Sequence, residues 1–146
     1  MNNLPEKVPP QNLEAEQSLL GSLMIDGESM FRVSDFLQKR DFYKKAHQDI
    51  YESIFDLFER KQAIDLLSVS ARLQEKDLLK ECGGKSYLTE LVNCVPTAAH
   101  ASDYARIVQK KRVLRDLIRS GQEISASAYD EAKDVEKLLD EAESKI

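Results

Sequence analysis

From Ala98 to Ser127 the chain runs without a proline and with Gly121 as its one glycine. Those two residue types interrupt helices most strongly. Over the same stretch Tyr104, Ile107, Val108, Leu114, Ile118 and Ile124 supply apolar positions at helical spacing. A helix of about thirty residues spans about 45 Å, longer than a small domain is wide. The segment must therefore protrude as one helix or fold back as two joined by a tight turn. Lys110-Lys111-Arg112, where the apolar stripe is interrupted, is the natural place for such a turn. In either form the segment offers apolar surface that a short chain cannot cover, and this calls for a partner.

The remaining pattern is also helical. Leu, Ala, Glu and Lys outnumber Val, Ile and Thr, and the former lose less side-chain entropy in a helix. Residues 1–11, with Pro5, Pro9 and Pro10, read as an extended arm. Asn12 is placed to cap a first helix carrying Leu13, Leu20, Leu23 and Met24, which Asp26-Gly27 ends. A shorter helix is expected from Glu28 to Leu37. The clearest helix comes next, with His47, Ile50, Tyr51, Ile54, Phe55 and Phe58 on one face of a 3.6-residue repeat. Asp65 caps Leu66, Val69 and Leu73, in a segment read as helical as far as Glu81. After Cys82-Gly83-Gly84, a short stripe of Tyr87, Leu88, Leu91, Val92 and Val95 ends at Pro96, and Thr97 can cap the long segment beginning at Ala98. Tyr129 to Lys133 reads as a hinge. Asp134 then caps a last helix bearing Val135, Leu138, Leu139, Ala142 and Ile146. A helix of about twelve residues is marginal alone in water, so this one is read as a linker helix docking on a target outside the chain.

Several function classes find no support. The net charge of −5 does not advertise nucleic-acid binding. The start of the chain lacks an apolar signal core, and no apolar run approaches a membrane span, so a cytoplasmic protein is expected. Cys82 and Cys94 have no metal-ligand spacing and are expected as reduced thiols. Gly83-Gly84-Lys85-Ser86 resembles the end of a phosphate-binding loop, but Leu79 stands where that loop needs glycine, and a helix precedes it where a strand is required. His47 and His100 are isolated, and Glu14 and Glu16 do not share a helix face. No catalytic, cofactor-binding or metal-binding residue is therefore expected. The most basic stretch, Arg106 to Arg119, sets six cations against Asp116. Without interleaved aromatics it suits a solvated helix face better than a single-strand binding strip.

Taken in order, several segments resemble the N-terminal domain of the bacterial replicative DNA helicase of the DnaB family. They are Pro9-Pro10-Gln11-Asn12-Leu13-Glu14-Ala15-Glu16-Gln17-Ser18-Leu19-Leu20-Gly21, Asp41-Phe42-Tyr43 with His47 and Ile50-Tyr51, and Ile64-Asp65-Leu66. Gly83-Gly84 with Tyr87-Leu88, Val95-Pro96-Thr97-Ala98-Ala99, Tyr104-Ala105-Arg106-Ile107-Val108 and Leu139-Asp140-Glu141-Ala142-Glu143 complete the set. The resemblance covers nearly the whole chain from Pro9. At Gln109-Lys110-Lys111-Arg112 the family often carries an acid, so charge pairing there differs.

The resemblance implies an all-α protein: a head of about five helices over residues 12–96, a protruding helical hairpin over 97–128, and a hinge with the start of a linker helix over 129–146. It implies hairpin-mediated dimers, a hexameric collar in the full-length protein, and recruitment of the C-terminal domain of a DnaG-type primase. A helicase loader or initiator is a further partner it admits. ATP and magnesium would belong to a RecA-like motor domain that this chain lacks. Tyr87, Tyr104, Ile107, Val108, Leu114, Ile118 and Ile124 are the expected partner and self-association residues. Val135, Leu138, Leu139, Ala142 and Ile146 are the expected docking face of the linker helix. The alternatives are a nucleic-acid-binding domain using Arg106–Arg119 and a purely structural oligomerisation collar.

Overall fold

The structure, a computed structural model, describes residues 7–146. Of the expected arm, residues 1–6 lie outside the described residues. Among the described residues there are seven α-helices and no strand: α1 Leu13–Ile25, α2 Met30–Val33, α3 Lys45–Glu59, α4 Leu66–Glu75, α5 Gly84–Asn93, α6 Ala101–Ala128 and α7 Val135–Lys145. They fall into two compact units, Gln11–Arg112 and Val113–Ile146, the latter with the described residues before Gln11.

In the first unit α1 is the central element. Every residue from Ser18 to Met24 is buried, as expected for a helix enclosed on all sides. Its nearest approach is to α5, where a Cβ on Gly21 would stand 2.1 Å from the Leu91 carbonyl oxygen. Only glycine allows that crossing. Leu19, Leu20 and Leu23 of α1 meet Ile50, Tyr51 and Ile54 of α3, Val69 and Leu73 of α4, and Leu88 and Leu91 of α5 in one core. The caps sit where local chemistry puts them. Asn12 accepts from the Ala15 amide, Asp65 from Ser68, Thr97 from Ala99 and Asp134 from Glu136.

Three expectations change. The helix expected over 28–37 contracts to α2, preceded by a 3-10 turn at Gly27–Ser29. The segment after Leu73 leaves the helix at Glu75 and turns through Asp77, whose φ is +59°. Gly83, with φ +97°, then opens α5, and a Cβ there would stand 2.7 Å from that of Tyr87. Third, no turn exists at Lys110–Arg112, because α6 is continuous from Ala101 to Ala128. Lys and Arg are good helix formers, and helical phase is what carries Gln109 to the Phe36 carbonyl at 3.0 Å and Arg112 to Asp41 at 2.8 Å. The compact head therefore does not end at Pro96: Ala101, Ala105 and Val108 of α6 belong to its core.

Candidate interaction surface

The second unit is built from the end of α6 and from α7. Tyr129 to Lys133 forms the connection, with the Tyr129 and Asp130 amides still bonded to the carbonyls of Ala126 and Ser127. Helix α7 returns beside α6, and Lys145 Nζ lies 3.6 Å from Glu123 Oε2. Ile124, Ser127 and Ala128 of α6 line a cleft with Val135, Leu138, Leu139 and Ala142 of α7. Within this chain the face of α7 expected to dock is thus turned partly toward α6. A hairpin does exist, but its turn is at 129–134 and its second arm is α7.

Self-packing of this pair is incomplete. Leu114, Ile124, Leu138 and Ala142 are half-buried, and no residue from Val113 to Ile146 is fully buried. Val113, Leu117 and Ile118 are exposed on α6, and Val135, Leu139 and Ile146 on α7, with Leu117 at 54%, Ile118 at 48% and Leu139 at 65% of full exposure. Apolar side chains are thus repeated along two neighbouring helices and left in solvent. The other expected contact residues sit elsewhere. Val108 is 1% exposed and part of the head core, so it is not available to a partner. Tyr104 packs half-buried against that core, and Ile107 is exposed.

The basic stretch is largely consumed by the protein itself. The Arg106 guanidinium lies over the Phe36 ring, 3.8 Å from its centroid. Arg112 pairs with the fully buried Asp41, which also accepts from the Gln38 amide at 2.8 Å. Arg115 donates to the Pro10 carbonyl at 2.8 Å, and Arg119 pairs with Asp116. Four arginines engaged in this way leave Lys110 and Lys111 as the cations of the stretch without a partner among the described residues. Two lysines are a weak footprint for nucleic acid, whose binding scales with the phosphates neutralised.

Tyr87 lies on the head and is tied into a buried polar cluster. Glu16, at 1% exposure, accepts from the Tyr43 amide at 2.7 Å and faces His47 Nδ1 at 2.7 Å. His47, fully buried, reaches the Tyr87 hydroxyl with Nε2 at 2.6 Å. The two rings are parallel to within 5°, and the Lys44 ammonium stands 4.8 Å from the Tyr87 centroid. His47 is thus a satisfied packing residue, as its position on the apolar face of α3 suggests. Glu16 was not legible as its partner, although it shares the α1 face with Leu20 and Leu23. A carboxylate on an apolar stripe is the signal, since burial requires a partner.

Elsewhere the head shows ordinary structural chemistry. Burial pushes the Asp56 carboxyl up, but hydrogen bonds from Lys76 and Arg72 outweigh it and hold the group below its usual 3.8. Burial, with the nearby Asp41 carboxylate, also raises the Tyr51 hydroxyl, which donates to the Leu37 carbonyl. Cys82 is a buried free thiol pushed up to about 11 by burial, and Cys94 is free and exposed. Among the described residues no cluster of His, Cys, Asp and Glu could hold a metal ion, and no helix is long and apolar enough to cross a membrane.

Residues 8–110 match the family model of the DnaB-like helicase N-terminal domain. A replicative DNA helicase DnaB from Geobacillus stearothermophilus is 43% identical over 141 residues, covering 97% of this chain and 31% of the relative. The chain thus spans about a third of such relatives' length. A crystal structure of the N-terminal domain of DnaB helicase from Mycobacterium tuberculosis superimposes with a TM-score of 0.88 at 38% identity, covering 94% of this chain and 97% of that one. A DnaB-like replicative helicase, solved in a study of its interactions with primase, matches with a TM-score of 0.76 at 27% identity, over 92% of this chain and 32% of its own.

Proposed function

Since the chain belongs to the family of the DnaB-like helicase N-terminal domain, we propose that it is a non-catalytic interaction module that assembles with copies of itself and recruits primase. The observation that carries this reading is the pair formed by α6 beyond Val113 and by α7, which exposes Leu117, Ile118 and Leu139 and fully buries none of its apolar residues. A pair so poorly covered gains stability from a protein partner, through a few aliphatic anchors within a polar rim. Primase as that partner is supported by the related DnaB-like helicase characterised with it. In the full-length protein the same surface would hold a dimer-based hexameric collar. ATP, magnesium and strand separation would be the work of a motor domain. Tyr87, Ile118 and Ile124 are the proposed contacts for primase.

The test is calorimetric titration of the C-terminal domain of a DnaG-type primase into wild type and into Ile118→Asp, with circular dichroism to confirm that the variant folds. Wild type should bind, and the variant should lose at least about tenfold in affinity, the scale of one truncated anchor. Equal affinities, or no binding by either, contradict the proposal.

A further inference from the structure

With a single proton on the imidazole, the polar cluster between α1, α3 and α5 has one self-consistent placement of hydrogens. The Glu16 carboxylate takes backbone N–H groups from Tyr43 at 2.7 Å and Lys44 at 3.4 Å, so it acts as an acceptor there. Facing His47 Nδ1 at 2.7 Å, it requires the imidazole proton on that nitrogen. Neutral imidazole then has a bare Nε2, which can only accept, and the Tyr87 hydroxyl at 2.6 Å donates to it. The hydroxyl hydrogen is therefore turned inward, and the oxygen lone pairs are left for the surface. They face Gln17 Nε2 at 3.4 Å and Lys44 Nζ at 3.5 Å, both longer than a good hydrogen bond. An incoming donor can take their place at little cost.

We infer that Glu16 and His47 are positioning residues for the hydroxyl of Tyr87, setting it as a hydrogen-bond acceptor beside the Lys44 ammonium for a protein partner that brings a hydroxyl or amide donor. The inference rests on the reading of the chain as a recruiting module and names what orients one of its contacts. Polarity at Tyr87 is then set by groups that the partner never touches. Glu16→Gln keeps the shape and reverses the relay. Its amide nitrogen donates to Nδ1, the imidazole proton moves to Nε2, and the Tyr87 hydroxyl hydrogen turns outward. In His47→Gln the side-chain amide can donate to Glu16 and accept from Tyr87, so the original polarity is kept without the ring.

The experiment combines nitrogen-15 NMR of the imidazole, assigned with a His100→Gln control, with titration of the primase C-terminal domain. The expected spectrum places the proton on Nδ1 in wild type and on Nε2 in Glu16→Gln. Affinity should fall about tenfold in Glu16→Gln and in Tyr87→Phe, the loss of one hydrogen bond, and stay within about threefold of wild type in His47→Gln. A wild-type proton on Nε2 overturns the inference, as does a relocated proton with unchanged affinity. Should Glu16→Gln fail to fold, Tyr87→Phe and His47→Gln decide. Wild-type affinity in the first, or a tenfold loss in the second, overturns it. If wild type itself does not bind, the recruiting function fails. The spectra then stand alone, a Nδ1 proton that Glu16→Gln relocates supporting the relay and any other result overturning it.

Discussion

The head and the α6–α7 pair are made from similar residues and solve opposite problems. Within Gln11–Arg112, Leu19, Leu20, Leu23, Ile50, Ile54, Leu73 and Leu88 are wholly removed from solvent. At about 2 kcal/mol for each buried aliphatic side chain, that unit holds itself together. From Val113 to Ile146, Leu117, Ile118, Val135 and Leu139 remain exposed. The difference teaches where stability is self-contained and where, on the proposed function, it is borrowed. A packed core is a property of the monomer, whereas two amphipathic helices with free faces are, on the proposed function, half of an interface. Charge follows the same division: Arg112 is spent inside the head on Asp41, while Lys145 and Glu123 merely edge the helix pair.

The largest effects should come from the head. Leu20→Ala should cost about 3 kcal/mol or more of unfolding free energy, measured by urea denaturation, because it opens a cavity in a closed core. In the dilute monomer Leu117→Ala should cost no more than about 0.5 kcal/mol. Equal losses at the two positions would break the contrast. Arg112→Ala should cost about 3 kcal/mol, since it removes the guanidinium paired with the buried Asp41 carboxylate. Asp134→Ala should remove about 1 kcal/mol from α7 through its lost cap, read as reduced helicity with the head transition unchanged.

The smallest effect is set by pH. The Asp56 carboxyl is pushed up by burial but held lower by Lys76 and Arg72, so its net value in the folded state lies below 3.8. Its contribution is complete above the unfolded value and is lost as pH falls through the folded one. Wild type should therefore lose stability below about pH 3.8 more steeply than Asp56→Asn in acid titrations followed by fluorescence or circular dichroism. Parallel curves would show that the Arg72–Asp56–Lys76 cluster adds nothing.

What was legible in the sequence was local. The caps at Asn12, Asp65, Thr97 and Asp134 need only their own first turn, and the α3 stripe follows from spacing alone. The look-alike phosphate loop failed on Leu79, and Gly83 instead supplies a left-handed backbone at the start of α5. What stayed hidden depended on distant partners. Glu16 is explained by Tyr43 and His47, and the continuity of α6 past Lys110 by Phe36 and Asp41. A break in an apolar stripe suggested a turn, when the face had passed from one set of neighbours to another. Val108 looked like interface because it lies one helical turn from Tyr104 on the apolar stripe, yet the head closes over it. Periodicity shows which residues share a face and is silent about what covers it.

Amide hydrogen exchange, followed by mass spectrometry across a range of protein concentrations, tests the division between the two regions most directly. The expected result is strong, concentration-independent protection in α1, α3 and α5. In α7 and in α6 beyond Val113, protection should be weak at low concentration and rise as copies associate. Protection of the α6–α7 pair equal to the head in the dilute monomer, unchanged on concentration, would contradict the claim that its stability is borrowed.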